Sequence, residues 1–106
     1  GVCSDLAGIA AACHARGVPL VVDEAHGAHF GLHPELPKSA LQQGADISVQ
    51  STHKVLGAIT QAAMLHVQGT LVNHGRISRA LQVLQSSSPS YLLMASLDSA
   101  RLQVHE

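Results

Sequence analysis

Two short groups of polar residues could carry chemistry, and each lies at the end of a segment whose pattern predicts a strand. The first is residues 23–26, Asp-Glu-Ala-His, and the second is residues 51–54, Ser-Thr-His-Lys. A lysine amine at the mouth of a buried site can attack a carbonyl carbon and hold a molecule covalently. A carboxylate at the end of a strand can bind a magnesium–nucleotide complex or pair with a protonated ring nitrogen of a cofactor. Position alone leaves plainer interpretations open, since Lys54 also fits a solvated surface loop and Asp23 also fits a helix-capping residue.

The hydrophobic pattern predicts the elements that position these two groups. Short apolar runs predict strands at residues 19–23 and 62–67, the first of them buried on both faces, and residues 46–50 are predicted to form another strand that ends in polar residues. A helix is expected to begin after Ser4 as its N-cap, and a short helix is expected to begin near Ser39. Two more helices are predicted by apolar residues that recur at helical spacing, namely Ile77, Leu81 and Leu84, and then Leu93, Leu97, Ala100 and Val104.

The order of these elements predicts the fold class. Helix, strand, helix, strand, strand, helix, helix is typical of an α/β fold with a mostly parallel sheet flanked by helices. Residues 24–37 contain two glycines and two prolines and are expected to form a loop. Ligands of such sheets bind beyond the carboxyl ends of the strands, which is where residues 23–26 and 51–54 should lie.

The composition excludes several classes of function. The chain has 106 residues, a formal net charge of −1, 46 % apolar residues and 12 % charged residues. A disordered tail needs low hydrophobicity and high charge, so this class is excluded. Six basic residues spread along the chain do not form a patch for nucleic acid, and no apolar run reaches the ~20 residues of a membrane helix. We therefore expect neither a nucleic-acid partner nor a membrane.

The low charge also bears on domain organisation. A typical domain has about 25 % charged residues, so this chain has roughly half the usual number. Interior segments of large α/β domains need little charged surface, and residues 1–106 are therefore expected to be part of one larger domain, with no second domain present. Cys3 and Cys13 have no metal or redox spacing, and no signal-peptide pattern is seen. Reduced cysteines of this kind are typical of the cytoplasm.

Two other interpretations of the histidine-containing loop are weaker. Residues 23–26 spell the Asp-Glu-Ala-His motif of one helicase group, but the required phosphate-binding loop is not found in the sequence. His26, His29 and His33 invite a zinc hypothesis, but their spacing lacks the helical His pair with a general-base Glu. We therefore predict no metal site.

Taken together, the motifs resemble a known enzyme family. They are residues 22–29 (Val-Asp-Glu-Ala-His-Gly-Ala-His), 44–47 (Gly-Ala-Asp-Ile), 50–54 (Gln-Ser-Thr-His-Lys), 60–67 (Thr-Gln-Ala-Ala-Met-Leu-His-Val) and 87–91 (Ser-Ser-Pro-Ser-Tyr). In this order they resemble the Orn/Lys/Arg decarboxylases, which are fold-type-I enzymes dependent on pyridoxal 5'-phosphate (PLP). The resemblance covers nearly the whole chain and corresponds to the central part of the PLP-binding large domain.

The resemblance implies a role for six residues. Lys54 would hold PLP covalently and act in catalysis, and Asp23 would pair with the pyridine nitrogen. The other implied cofactor contacts are Ala25 under the ring, His26 near the 3-oxygen and also catalytic, and Ser51 and His53 at the phosphate.

The resemblance further implies decarboxylation of arginine, lysine or ornithine, towards polyamine synthesis. The complete protein would be a homodimer or higher oligomer in the cytoplasm, or in a plastid if the source is a photosynthetic eukaryote. The 106 residues alone are expected to be inactive. Glu24 and Asp98 are candidates for binding the distal end of the substrate. An aminotransferase or α-oxoamine synthase on the same frame, and a non-catalytic remnant that pairs with an intact subunit, remain alternatives.

Overall fold

The computed structural model describes residues 2–105, which form three strands and four helices. The chain begins with a helix, and two parallel strands follow before a very short helix and a third strand. Two longer helices complete the order. The elements are α1 (Leu6–His14), β1 (Val21–Asp23), β2 (Ile47–Gln50), α2 (Thr52–Val55), β3 (Met64–Val67), α3 (His74–Leu84) and α4 (Tyr91–His105).

The three strands form one mixed sheet in the order β1-β2-β3. β1 and β2 are parallel, with Asp23 opposite Val49, whereas β2 and β3 are antiparallel, with Gln50 opposite Met64. The α/β class is confirmed, but the expected mostly parallel sheet is not, since one of the two described strand pairs is antiparallel. The connection from β2 to β3 explains this. Its only helix, α2, has four residues and spans about 6 Å, too short to return along a strand of about 13 Å.

The structure corrects several local predictions. Asp5, not Ser4, caps α1, because its Oδ1 accepts a hydrogen bond from the Gly8 amide at 3.0 Å. The helix expected near Ser39 is only a turn, which Gly44 ends with a φ of +104° that favours glycine. α2 was not predicted. The first strand is not buried on both faces, since Val21 is 60 % exposed.

Small side chains dominate the buried part of the described chain. The fully buried Ser48 lies in β2 at the centre of the sheet, and the buried apolar residues are all alanines. Many large apolar side chains are exposed instead, among them Val83, Leu84, Tyr91 and Leu92 around the α3–α4 connection. No helix within residues 2–105 is both long and apolar enough to cross a membrane. The buried alanines are Ala10, Ala28, Ala40, Ala45, Ala62 and Ala100.

Asp46 is a buried carboxylate that joins α1 to the start of the sheet. Its Oδ2 accepts a hydrogen bond from the Leu20 amide at 2.7 Å and lies 2.8 Å from Nε2 of His14. Its backbone carbonyl accepts a hydrogen bond from the Gln68 amide at 2.9 Å, so Asp46 also contacts the residue that follows β3. The hydrogen bond with His14, followed by that from Leu20, lowers the pKa of the Asp46 carboxyl below its ordinary value of 3.8.

Replacing Asp46 by Asn in the complete protein is expected to lower the free energy of unfolding by about 1–2 kcal/mol at neutral pH. The amide oxygen can still accept from Leu20, so the loss reflects the charge. Because the folded pKa is lowered, the contribution of the charge is fully present above the ordinary value of 3.8 and disappears as the pH falls through the folded value. Urea unfolding of both proteins between pH 7 and pH 2 measures this.

Asp5→Asn is the matched control for this prediction. Asp5 is exposed, and its Oδ1 also accepts a backbone amide, but Asn is as good an N-cap as Asp. We expect its stability to equal that of the wild type throughout the titration. A difference between wild type and Asp46→Asn that stays constant from pH 7 to pH 2 would contradict the role assigned to the charge of Asp46.

Candidate functional site

The parallel pairing of β1 and β2 brings the two predicted groups to one edge of the sheet. Asp23 ends β1 opposite Val49, and the Glu24 amide donates to the Val49 carbonyl at 2.9 Å. Residues 23–26 therefore leave the sheet beside the point where residues 51–54 leave it. This juxtaposition agrees with the location predicted from the sequence.

The first group forms a tight turn after β1. Oδ1 of Asp23 accepts a hydrogen bond from the Ala25 amide at 3.0 Å, as in an Asx turn. The Asp23 side chain is exposed, and its Oδ2 accepts no hydrogen bond from any residue in the range 2–105. Ala25 is half-buried and His26 is exposed. The turn thus fixes the carboxylate through one oxygen and leaves the other accessible.

The second group forms α2, a single helical turn. The Lys54 amide donates to the Ser51 carbonyl at 3.0 Å, and the His53 amide donates to the Ala62 carbonyl at 3.1 Å. Ser51 precedes the helix, yet its hydroxyl makes no capping hydrogen bond. Thr52 is buried, whereas Ser51 and His53 are half-buried and Lys54 is exposed. The backbone of this turn is therefore fixed, while the side chains of Ser51 and Lys54 stay accessible.

The proposed reactive ionic groups at this edge of the sheet do not form ion pairs within the described residues. Within the described part of the chain, the ion pairs join His14 with Asp46, His33 with Glu35 and Arg101 with Asp98. Neither the Lys54 amine nor the Asp23 carboxylate takes part in them. No hydrogen bond joins a side chain of residues 23–26 directly to one of residues 51–54 among residues 2–105. The structure brings the two segments side by side without linking their proposed reactive groups.

The sequence did not predict a partly buried polar network that begins at Glu24 in the first group and includes Gln50, directly before the second group. Oε1 of Glu24 accepts from the Ala40 amide at 2.8 Å, and Oε2 accepts from Nε2 of Gln50 at 2.7 Å. Oε1 of Gln50 in turn lies 2.9 Å from Nε2 of His66. We call these three side chains the Glu24–Gln50–His66 network. A polar alternation was the available signal, because Ser48 and Gln50 lie on one face of β2.

This network changes the interpretation of Glu24. Its side chain is only 7 % exposed and both carboxylate oxygens are hydrogen-bonded inside the protein. Glu24 therefore does not offer a free carboxylate to the distal end of a substrate. Asp98, the other candidate, is exposed on α4 and its Oδ1 accepts from Nε of Arg101 at 2.9 Å.

Comparison with known proteins decides the family. The family described as "Orn/Lys/Arg decarboxylase, major domain" matches residues 1–106, the whole chain. This chain belongs to that family. The resemblance carried by residues 22–29 and 50–54 is thereby confirmed.

Individual relatives of this decarboxylase-family chain are similar over only part of their own length. The arginine decarboxylase of Halalkalibacterium halodurans is 46 % identical over 101 residues, which are 95 % of this chain and 21 % of the relative. The uncharacterized protein YaaO of Bacillus subtilis is 51 % identical over 105 residues, 98 % of this chain and 22 % of the relative. The lysine decarboxylase of Hafnia alvei is 43 % identical over 51 residues, 48 % of this chain and 7 % of the relative. The chain thus spans about a fifth of the first two relatives.

Proposed function

We propose that the complete protein is a PLP-dependent decarboxylase that converts a basic amino acid to its amine. One observation carries the proposal. The parallel pairing of β1 with β2 sets the exposed carboxylate of Asp23 beside the turn that bears Lys54. Membership of the Orn/Lys/Arg decarboxylase family supports the same reaction.

The donor groups at this edge suit PLP chemically. An aldehyde needs a primary amine, which Lys54 offers in an exposed position. A protonated pyridine nitrogen needs an acceptor, and Oδ2 of Asp23 is available for it. A phosphate accepts hydrogen bonds from hydroxyl and imidazole donors, which Ser51 and His53 provide. The small side chain of Ala25 leaves room for a flat ring, and the exposed His26 can donate to the ring's 3-oxygen.

In the proposed reaction each residue has a separate task. PLP, when bound, supplies a pyridinium ring that accepts the electron pair left on the α-carbon as CO₂ departs. The Asp23 carboxylate holds the proton on the ring nitrogen by its negative charge. The Lys54 amine holds the cofactor between turnovers and moves a proton during product release. Ala25, His26, Ser51 and His53 orient the cofactor, so that the scissile bond can be set across the ring plane.

Arginine is the substrate that we propose. The Halalkalibacterium halodurans relative, matched over 95 % of this chain, is named an arginine decarboxylase. The Hafnia alvei relative, which is named a lysine decarboxylase, matches only 48 % of the chain. The product amine would feed polyamine synthesis.

The setting of the reaction forms part of the proposal. We propose that the complete protein works in the cytoplasm, or in a plastid of a photosynthetic eukaryote, where Cys3 and Cys13 stay reduced; both are unpaired in the structure. The exposed apolar side chains of Val83, Leu84 and Tyr91 form a surface suited to burial against other segments of the complete protein or a second subunit, and we propose a homodimer or higher oligomer. For the same reason we propose that residues 1–106 alone are inactive, and we propose no role for nucleic acid or membrane.

Release of CO₂ by the complete protein loaded with PLP tests this proposal. Arginine, lysine and ornithine are supplied separately, and we expect kcat/KM to be at least about tenfold higher for arginine, a difference of 1.4 kcal/mol. A preference for lysine or ornithine would overturn only the choice of substrate. Formation of an oxo acid without release of CO₂ would indicate that the protein is an aminotransferase and not a decarboxylase. A protein that binds no PLP would indicate a non-catalytic subunit.

A further inference from the structure

We propose that the Glu24–Gln50–His66 network is a positioning device that holds residues 23–26 and 51–54 in a fixed relation. The inference rests on the proposed function, because it concerns how the proposed cofactor groups are set relative to each other. These three side chains would act on catalysis only by positioning other residues. None of them is proposed to touch the cofactor or the substrate.

The network joins residues that are neighbours, along the chain, of the proposed cofactor residues. Glu24 lies between Asp23 and Ala25, and Gln50 directly precedes Ser51. The 2.7 Å hydrogen bond from Nε2 of Gln50 to Oε2 of Glu24 therefore links the neighbours of the proposed cofactor residues. Movement of one segment relative to the other would therefore strain or break this hydrogen bond.

Few other hydrogen bonds could hold the two segments together. β1 ends at Asp23, and the Glu24 amide makes the last backbone bond to β2, at Val49. Beyond that bond, Glu24–Gln50 is the one hydrogen bond between residues 24–29 and 50–55 in the described chain. Backbone hydrogen bonding between the two segments thus ends at Glu24, and the side-chain bond from Gln50 continues it beyond that point.

The network is also fixed at both of its outer ends. Oε1 of Glu24 accepts from the Ala40 amide at 2.8 Å, so rotation of the carboxylate would leave a buried amide without a partner. Because a carboxylate only accepts, Gln50 must turn its Nε2 towards Glu24, and its Oε1 is left to accept from Nε2 of His66 in β3. Each side chain therefore has one orientation that satisfies all its partners.

Gln50→Leu in the complete, PLP-loaded protein removes both bonds of Gln50 at similar volume. Displacement of the groups by about 1 Å is expected to lower kcat about 10- to 100-fold and to raise the dissociation constant of PLP, which visible absorbance measures. Gln68→Leu is the matched control. Gln68 follows β3, and its side chain makes two hydrogen bonds as that of Gln50 does, but both are donated by Nε2, to the Leu41 and Ala45 carbonyls, and neither involves residues 23–26 or 51–54. It should lower the melting temperature but leave kcat and PLP affinity within about twofold of wild type, a difference under about 0.5 kcal/mol.

An exchange of the two partners separates positioning from general loss of stability. Gln50→Glu alone sets two carboxylates against each other and should impair PLP affinity and kcat. Adding Glu24→Gln restores a donor towards residue 50, keeps an acceptor for Ala40 and lets residue 50 accept from His66. We expect the double variant to recover at least about tenfold in kcat over Gln50→Glu, equivalent to 1.4 kcal/mol of transition-state stabilisation.

The outcomes distinguish this inference from the proposed function. An active wild type, with Gln50→Leu unchanged in kcat and PLP affinity, would overturn the inference and leave the proposed function intact. Equal losses in Gln50→Leu and Gln68→Leu, or no recovery in the double variant, would also overturn it. A wild type that binds no PLP would overturn the proposed function and the inference together.

Discussion

Replacement of Lys54 by alanine is expected to abolish covalent attachment of PLP to the complete protein. The visible absorbance of the lysine-bound cofactor should disappear, and kcat should fall by about 10²- to 10⁴-fold, the usual contribution of a positioned proton-transfer group. The reason is structural. Lys54 is exposed on α2 and forms no ion pair within residues 2–105, so its removal costs the fold little and takes away the amine.

Lys38→Ala is the matched control for this change. Lys38 is the other lysine of the chain, and it is exposed in the loop that follows Pro37. Absorbance and kcat should equal those of the wild type. Survival of the absorbance band in Lys54→Ala, or its loss in Lys38→Ala, would refute the assignment of the cofactor lysine.

Replacement of Asp23 by asparagine should lower kcat by about 10²- to 10³-fold, as is typical when one preorganised electrostatic group is lost. Asparagine keeps an oxygen that can accept from the Ala25 amide, so the turn after β1 should survive. Only the negative charge is removed, and with it the stabilisation of the proton on the ring nitrogen. Single-turnover release of CO₂ measures the effect on the chemical step.

Asp5→Asn provides the comparison for the Asp23 variant. Asp5 is also exposed, and its Oδ1 also accepts a backbone amide, that of Gly8 at 3.0 Å. Its carboxylate caps α1, and Asp5 is not among the residues proposed to contact the cofactor. The control should retain wild-type kcat. If Asp23→Asn retained it too, the carboxylate would have no part in stabilising the cofactor.

The edge of the sheet was predictable because its signals are local. Residues 19–22 form an apolar run that ends at Asp23, and residues 46–50 alternate polar and apolar side chains before Ser51. Both patterns indicate a strand and the point where it ends. Consecutive strands often lie side by side, so the proximity of residues 23–26 and 51–54 followed. α4 was also predictable, because Leu93, Leu97 and Ala100 recur at helical spacing.

Other features depend on contacts between distant residues. The direction of β3 cannot be read from Met64–Val67, because the same side-chain alternation suits a parallel and an antiparallel strand. The inward orientation of Glu24 depends on Gln50 being next to it across the β1–β2 register, 26 positions away in sequence. Near Ser39 the expected helix is a single turn, in which the Gln43 amide donates to the Ser39 carbonyl at 3.1 Å and which Gly44 ends.

The identity of the residue that carries PLP tests the central claim most directly. The complete protein is loaded with PLP, reduced with borohydride to make the attachment permanent, digested, and its peptides are sequenced by mass spectrometry. We expect the pyridoxyl group on Lys54, in a peptide that contains residues 51–54. Recovery of the group on Lys38, on a lysine elsewhere in the protein, or on no peptide at all would contradict the account.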